Sequence, residues 1–277
     1  MFIKVLNSLK NNGITETVAN ILNFFLVKVL GVRIIKSNKT VYNAGKIFDN
    51  RKLIESDNGF FYVDPMPTIE ELNKYYATVY WDARSGKEYG ASTRDFIHWN
   101  ILQEYIGEFL NRKELTIMNF GAGHGGISNI FWMQGHNIVN VEPSGLPDFY
   151  NERWNVFNHI KDVSSSSIDI IYGSHSLEHV QDIKEFEAEI KRVLRKENYV
   201  FWEVPNAANP GNGAMKGQID IPHTYYFKKD YFDYSFDEVL LNCAYDQKEN
   251  INIQDWKKYH NDRGHVLRAL GRYLNLG

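Results

Sequence analysis

Residues 115–126 read Leu-Thr-Ile-Met-Asn-Phe-Gly-Ala-Gly-His-Gly-Gly, and this stretch decides the fold. Its first part, Leu115–Met118, is short, apolar and rich in strand formers, which predicts a buried strand. After the glycines, Ile127, Ile130 and Phe131 follow at roughly helical spacing. A strand, a glycine turn and a helix in this order bring a ligand against bare backbone and a helix N-terminus.

Two cofactors fit this glycine loop. Gly121, Gly123 and Gly126 have the spacing of a dinucleotide-binding turn. Gly121, Gly123 and Gly125 resemble equally well the loop of class I S-adenosylmethionine methyltransferases. Glu142 ends the second predicted strand about twenty residues further on, where an acid can bind both hydroxyls of a ribose. Both cofactors carry such a ribose, so Glu142 does not choose between them, and a tight turn with an unrelated acid is the structural alternative.

Four further blocks resemble the small-molecule methyltransferases of this class. Ile168–Asp182 contains Leu-Glu-His-Val and resembles the family's fourth strand with its LEHv motif. Leu194–Asn198 stands where the family has LKPGG, and Val200–Asn206 resembles its evPN strand. His223–Phe227, followed by a predicted helix over Asp230–Cys243, resembles the segment after that strand. A nicotinamide enzyme is not expected to carry this set in this order.

The alternation of strands and helices predicts an α/β fold with a Rossmann-like, doubly wound, mostly parallel sheet. The resemblance, which covers roughly residues 112–246, adds that the sheet is of the seven-stranded type. It implies S-adenosyl-L-methionine as cofactor and S-adenosyl-L-homocysteine as product. We expect no metal, because the chain lacks the cysteine pairs of a zinc ribbon. The implied cofactor-binding residues are Asn119, Gly121, Ala122, Gly123, Gly125, Glu142, Pro143, Asn158, His159, Ser174, Tyr76 and Tyr80.

The residues that face the acceptor are identified less directly by the sequence than those that bind the cofactor. The matching motif positions imply acceptor contacts from Asn206, Tyr225 and Tyr226. His175 and His223 are the catalytic candidates, since either could act as a general base with a pKa near neutrality. For each histidine, a structural hydrogen bond is the alternative.

One position departs from the family pattern. The family usually has an acid where this chain has Asn119, which keeps a hydrogen-bond acceptor but loses the charge. This loss could weaken donor binding by about 1 kcal/mol. Two alternatives to a methyltransferase therefore stay open: an NAD(P)-dependent oxidoreductase, and a catalytically degenerate binding or scaffold protein with the same fold.

Composition limits the partners. The 277 residues suffice for one core plus a small accessory unit, and a net charge of −3 gives no general attraction to nucleic acid. The single cysteine, Cys243, excludes an internal disulfide framework and a zinc site of several cysteines. We expect it to be buried and inert on the apolar face of a helix. A cleavable signal pattern is lacking, so we expect a cytoplasmic protein.

The chain divides into four expected segments. Residues 1–36 form an apolar helix, too short in its apolar run to cross a bilayer, which packs on the domain or on a second copy. A weak contact with the inner membrane through residues 14–36 is the alternative. Residues 37–90 form an accessory segment on the acceptor side, residues 91–246 the methyltransferase core, and residues 247–277 a tail of antiparallel strands or a helix.

The accessory segment suggests the acceptor. Thr68 is a predicted helix N-cap with Glu71 at the capping-box position. Residues 61–81 resemble the segment that precedes methyltransferases of sugar and surface-glycan pathways, where it often begins as a zinc ribbon of cysteine pairs. This chain has none of those cysteines. The resemblance implies methyl transfer, with O-methylation favoured, to a small polar acceptor such as an activated sugar or surface-polysaccharide precursor.

Overall fold

The computed structural model describes residues 51–75, 91–143, 152–209, 223–246 and 264–274, together with the backbone of residues 32–34, 36–37 and 218–219. Tyr76, Tyr80 and most of residues 1–36 lie outside these ranges. The strands are β1 (Val32–Ile34), β2 (Lys36–Ser37), β3 (Lys52–Glu55), β4 (Phe60–Asp64), β5 (Thr116–Phe120), β6 (Asn137–Val141), β7 (Asn155–Phe157), β8 (Ile168–Ser174), β9 (Leu194–Pro205), β10 (Gln218–Ile219), β11 (Tyr225–Phe227), β12 (Glu238–Tyr245) and β13 (Val266–Arg272). The α-helices are α1 (Ile69–Tyr75), α2 (Thr93–Leu110), α3 (Gly126–Met133), α4 (Ile183–Val193) and α5 (Lys229–Ser235).

A seven-stranded sheet forms the centre of the protein, in the order β12-β13-β9-β8-β5-β6-β7. Strands β5 to β9 of this sheet pair in parallel, whereas β13 is antiparallel to both of its neighbours. The strand order reverses between β5 and β8, since β6 and β7 extend the sheet on one side and β9 on the other. The predicted doubly wound fold is confirmed. Ligands bind such sheets at this reversal, outside the carboxyl ends of the strands.

Period-two alternation gives the sheet two apolar faces. Ile117, Ile138 and Ile170 point to one face, where they pack in one core cluster with α2 and α3. Their chain neighbours Met118 and Val139 point to the other face and pack with α4 and α5. Because both faces are covered, the strands read as continuous apolar runs, as expected of a parallel sheet.

Several local predictions are met closely. Helix α2 (Thr93–Leu110) has apolar residues at helical spacing and begins with a capping box between Ser92 and Asp95. At α1 the backbone N–H of Glu71 donates to Thr68 Oγ1 at 3.2 Å, and the N–H of Thr68 donates to the Glu71 carboxylate at 2.7 Å. These caps depend only on residues within one turn, so the sequence specifies them.

The accessory segment forms a second sheet, of order β1-β3-β4-β11. Its last strand, β11, comes from the segment that follows β9, and Tyr226 of β11 pairs with Phe61 of β4. The accessory segment is therefore joined to the core by backbone hydrogen bonds. Among the described residues, no helix combines the length and the apolar composition needed to cross a membrane.

Two expectations about secondary structure need correction, and one pair of alternatives is decided. The end of the predicted N-terminal helix is strand β1, because Val32–Ile34 pairs with β3. The predicted helix over Asp230–Cys243 ends at Ser235, and strand β12 begins at Glu238, because this stretch pairs with the distant strand β13. Of the two alternatives for the tail, the antiparallel strand is found, since the tail supplies β13, an inner strand of the central sheet. In the two corrected stretches, tertiary pairing overrides local periodicity.

Cys243 accordingly lies on a strand, where it is half-buried. Burial raises the pKa of its thiol to about 11. The thiol is therefore protonated at neutral pH, in the unreactive form.

A buried carboxylate, Glu203 of β9, joins the helix α2 to the neighbouring strand β13. Its Oε2 accepts a hydrogen bond from His98 Nε2 of α2 at 2.7 Å and from Arg268 Nε of β13 at 2.7 Å. The other nitrogen of His98, Nδ1, lies 2.6 Å from the hydroxyl of Tyr172 on β8. The Arg268 guanidinium also lies over the ring of Tyr245, 3.7 Å from its centroid. Glu203 thus binds α2 and β13 directly, and Tyr172 and Tyr245 are joined to it through His98 and Arg268.

The protonation states in this cluster follow from burial and charge. Burial opposes ionisation of Glu203, but His98 and Arg268 outweigh it and hold the pKa of the carboxyl well below its ordinary value. Burial also lowers the pKa of His98. Because its pKa is lowered, His98 does not carry a charge at neutral pH. We therefore assign the positive charge beside Glu203 to Arg268. His98 is then neutral, donating from Nε2 to Glu203 and accepting at Nδ1 from Tyr172.

Replacing Glu203 with glutamine is expected to lower the free energy of unfolding at pH 7 by about 3–5 kcal/mol, because it leaves the buried Arg268 charge uncompensated. The depressed pKa means that the ionised carboxyl stabilises the fold above its unfolded pKa, and that this stability is lost as the pH falls through the folded pKa. Urea unfolding followed by circular dichroism, at pH 7 and at steps below pH 4.5, measures both effects.

The matched control is Glu238→Gln, which breaks another glutamate–arginine pair across the sheet. Glu238 and Arg272 have side chains 40% and 35% exposed, so this change is expected to cost about 0–1 kcal/mol. Equal losses in the two variants would contradict the role assigned to Glu203.

Candidate active site

The glycine loop leaves β5 at the point where the strand order reverses. Gly121 and Gly123 have φ values of +69° and +55°, which favour glycine. A Cβ atom on Gly121 would lie 2.5 Å from Cβ of Ser176, whereas one on Gly123 would meet nothing nearer than 4.0 Å. Gly121 is thus required by packing inside the protein. Gly123 presents its backbone to open space, as a ligand-binding position does.

The acid at the end of β6 lies against this loop. The backbone N–H of Gly123 donates to Oε2 of Glu142 at 2.8 Å, and Glu142 is only 8% exposed. Ala122 is buried between them, and its N–H donates to the carbonyl of Val141 at 3.3 Å. Pro143 follows Glu142 and is exposed. The structure therefore brings together the glycines and the acid that the sequence places about twenty residues apart.

The remaining loop positions differ in their surroundings. Gly125 is the residue before α3, and a Cβ atom there would lie 2.8 Å from the ring of Trp154. Asn158 and His159 follow β7 at the same edge of the sheet and are exposed. Both remain accessible to a ligand that reaches past Glu142.

Asn119 belongs to a buried polar chain below the loop. Its Nδ2 donates to Ser128 Oγ of α3 at 2.8 Å, and this hydroxyl donates to Asn140 Oδ1 of β6 at 2.7 Å. Asn119 is 3% exposed. The asparagine that replaces the family's acid therefore links two strands and a helix under the glycine turn.

The end of β8 forms the other wall of the site. Ser176 touches Gly121 across the reversal point, so the segment Ser174–Ser176 borders the glycine loop. Ser174 Oγ donates to Glu203 Oε1 at 3.2 Å. His175 has a φ of +52°, and its backbone N–H donates to the carbonyl of Glu203 at 2.8 Å. A non-glycine residue in this conformation is uncommon and marks a position fixed by its surroundings.

Two buried carboxylates flank the His175 ring. Nδ1 lies 3.3 Å from Glu178 Oε1, and Nε2 lies 3.5 Å from Glu203 Oε1. The imidazole is 30% exposed, whereas the carboxylates are 1–2% exposed. A positive charge on this ring would be stabilised on both sides.

Glu178 is surrounded by histidines. Its Oε1 lies 3.9 Å from His179 Nε2 and 3.8 Å from His223 Nε2, in addition to His175. Burial opposes its ionisation, but His175, His179 and His223 outweigh burial and lower the pKa of the carboxyl to about 2. Burial and the neighbouring His179 lower the pKa of His223 to about 3, although Glu178 opposes this. His223 is thus neutral at neutral pH, and the near-neutral pKa expected for it is not found.

The three residues expected to contact the acceptor are engaged inside the protein. Asn206 is 3% exposed, donates to the carbonyl of Gly264 at 2.8 Å and accepts from the N–H of Ala208 at 3.0 Å. The Tyr225 hydroxyl accepts from the N–H of Ile183 at 3.1 Å, at the start of α4. Tyr226 is 3% exposed, with its ring centroid 5.8 Å from that of His223. In this structure their contacts are structural.

Sequence reasoning missed the Glu203 cluster. A charged residue inside the apolar run Val200–Val204 is a signal in itself, because a buried charge needs a partner. The partners His98 and Arg268 could not be identified in this way, since they are 105 and 65 residues away along the chain.

Comparison with known proteins gives an independent view of this site. The family model described as a methyltransferase domain matches residues 94–268, which is more than half of the chain. No curated protein matches the chain. The matched region contains the glycine loop, Glu142, the Glu178 cluster and the first residues of β13.

Solved structures share the fold at low sequence identity. A Burkholderia thailandensis 1,6-didemethyltoxoflavin-N1-methyltransferase, bound to 1,6-didemethyltoxoflavin and S-adenosylhomocysteine, is 15% identical with a TM-score of 0.52, covering 81% of this chain and 96% of its own. A methyltransferase of Archaeoglobus fulgidus, described as dependent on S-adenosylmethionine, is 15% identical with a TM-score of 0.46, covering 64% of this chain and 93% of its own. This chain belongs to the methyltransferase-domain family, whose model covers more than half of it, and its seven-stranded sheet shares the fold of the toxoflavin methyltransferase.

Proposed function

We propose that the protein transfers the methyl group of S-adenosylmethionine to a hydroxyl of a small polar acceptor, with His175 as the general base. The observation that carries the proposal is the position of His175, beside the glycine loop and between two buried carboxylates. The sulfonium already makes the methyl group electrophilic. The protein has to align donor and acceptor, a contribution that can reach about 7–11 kcal/mol, and remove the acceptor's proton.

The donor is proposed to lie across the carboxyl ends of β5 and β6. Its methionine part would follow the backbone at Gly121 and Gly123, where space is open above Gly123. Its ribose would bind Glu142, whose carboxylate has lone pairs beyond the one that accepts from Gly123. The adenine edge would lie near Asn158 or His159, which are exposed at the end of β7.

The proposed general base, His175, is the reason for favouring a hydroxyl over an amine as the acceptor group. A neutral amine attacks a methyl sulfonium without losing a proton first, whereas an alcohol needs a base. When His175 takes the acceptor's proton, the imidazolium that forms lies 3.3 Å from Glu178 and 3.5 Å from Glu203, both of which favour its charge. His223 is the weaker candidate, because its pKa is lowered to about 3.

An activated sugar or surface-polysaccharide precursor is the proposed acceptor class. This part rests on the resemblance of residues 61–81 to the segment that precedes sugar-pathway methyltransferases. The pairing of β4 with β11 supports it indirectly, since it places that segment next to the chain that carries His223. We further propose the location as cytoplasmic.

Gly123→Val is expected to weaken binding of S-adenosylhomocysteine by at least about 100-fold, or about 3 kcal/mol, because a side chain would occupy the space proposed for the donor. Isothermal titration calorimetry measures the affinity. Gly135→Val is the matched control, since Gly135 also has a positive φ of +91° and nothing within 4 Å of an added Cβ, but lies away from the site. Unchanged affinity in a folded Gly123→Val protein would place the donor elsewhere.

His175→Asn is expected to lower kcat by about 10²- to 10⁴-fold and to change the affinity for S-adenosylhomocysteine little. Asparagine is chosen because it tolerates the positive φ of His175. The loss should shrink as the pH rises, since hydroxide then replaces the base. His265→Asn, at a histidine that is 46% exposed, controls for loss of an imidazole. A kcat within threefold of wild type would rule out His175 as the base.

The acceptor class can be tested with methyl-labelled donor and a panel of nucleotide-activated sugars, simple alcohols and matched amino sugars. We expect label on oxygen of a sugar, identified by mass spectrometry and NMR. Label on nitrogen alone would refute the O-methylation proposal. Donor binding with no transfer to any member of the panel would refute the acceptor class.

A further inference from the structure

Two histidines face the Glu178 carboxylate in an arrangement that the proposed proton transfer does not require. His179 and His223 each direct Nε2 toward the same carboxylate oxygen, at 3.9 Å and 3.8 Å. One ligand atom from each of Glu178, His179 and His223 lies within 4.8 Å of the other two. The reaction proposed above needs only His175 from this group, so the other two histidines are unexplained.

The Glu178 carboxylate lacks the hydrogen bonds that burial normally requires. It is 1% exposed, and within the described ranges neither of its oxygens completes a hydrogen bond of good geometry. A buried carboxylate in this state costs free energy unless a positive charge meets it. His175 Nδ1 at 3.3 Å is near one oxygen but does not satisfy both. The carboxylate therefore points to a cationic ligand.

The backbone holds the two ligand-bearing segments together. Glu178 and His179 lie in a 3₁₀ turn after β8, and the N–H of Thr224 donates to the carbonyl of Glu178 at 2.8 Å. The hydroxyl of Thr224 donates to the same carbonyl at 3.0 Å. His223 directly precedes Thr224, so its ring is positioned against the turn by bonds that do not involve the imidazole. The cluster is pre-formed.

We propose that Glu178, His179 and His223 bind one divalent transition-metal cation, through a carboxylate oxygen and two imidazole nitrogens. Two histidines and a glutamate are a known zinc donor set, and imidazole nitrogen favours Zn²⁺ and its neighbours over Mg²⁺. Ligand atoms around a tetrahedral zinc lie about 3.3–3.4 Å apart, given bonds of about 2.0–2.1 Å. The observed separations from Glu178 exceed this by roughly 0.5 Å, which small side-chain movements can close.

The cluster is accessible to a metal ion. The side chains of His179 and His223 are 17% and 15% exposed, so the site is open to solvent on one side. A cation there could hold an oxygen of the acceptor, a role that rests on the proposed function. The missing cysteine pairs predict no metal, but this site uses no cysteine.

The test uses the full chain without a polyhistidine tag, treated with a chelator and then freed of it. Co²⁺ is titrated while visible absorption is recorded, and Zn²⁺ is titrated by calorimetry. We expect one equivalent to bind with a Kd of about 1 μM or tighter, and Zn²⁺ to displace Co²⁺. His179→Gln and His223→Gln are each expected to lower the affinity at least about 10-fold.

The matched control is His265→Gln, because His265 also lies 3.8 Å from a carboxylate, that of Asp246, but no third potential ligand groups with them in the part of the chain that the structure describes. Circular dichroism identifies any variant that fails to fold. In that case the metal affinity of the other, folded variant tests the proposal. Absence of binding to wild-type protein at about 100 μM metal, or wild-type affinity in folded His179→Gln or His223→Gln, would overturn the proposal. Binding of S-adenosylhomocysteine, measured in chelator, tests the proposed function separately.

Discussion

The buried carboxylate of Glu203 is the interaction on which the rest of the structure depends. It accepts hydrogen bonds from α2 through His98 and from β13 through Arg268, and its other oxygen accepts from Ser174 at the end of β8. Taking a carboxylate and a guanidinium out of water is costly, so the pair is stable only when their geometry and remaining hydrogen bonds are complete. That requirement fixes where α2, β8, β9 and β13 lie relative to one another.

The same carboxylate positions the chemistry. The backbone N–H of His175 donates to the carbonyl of Glu203, and the imidazole lies within reach of its side chain. The strained backbone at His175 is thus held from two directions. A structural ion pair and the proposed base share one residue, which explains a charged side chain in the middle of an otherwise apolar strand.

The site contains a second buried acid with different surroundings. Glu203 has an arginine and two donors in full hydrogen-bonding geometry, whereas Glu178 has three histidines at 3.3–3.9 Å and incomplete hydrogen bonding. Because its hydrogen bonds are complete, the Glu203 carboxylate has a structural role. The incomplete hydrogen bonding of Glu178 leaves that carboxylate able to bind a cation. The two acids lie on either side of His175.

The local elements were determined by the sequence itself. The strand and glycine turn over residues 115–126, the helix Thr93–Leu110 and the Thr68 cap all depend on residues within a few turns of one another, so composition and spacing sufficed. The pairing of Glu142 with the glycine loop was also foreseeable, because parallel strands bring their carboxyl ends to one edge.

Tertiary structure alone decided the strand that follows Ser235, the inner position of β13, and the internal engagement of Asn206 and Tyr225. It also decided the partners of Glu203 and the grouping of Glu178 with His223. These outcomes depend on contacts between residues more than twenty positions apart, and no local pattern encodes the energy of such contacts.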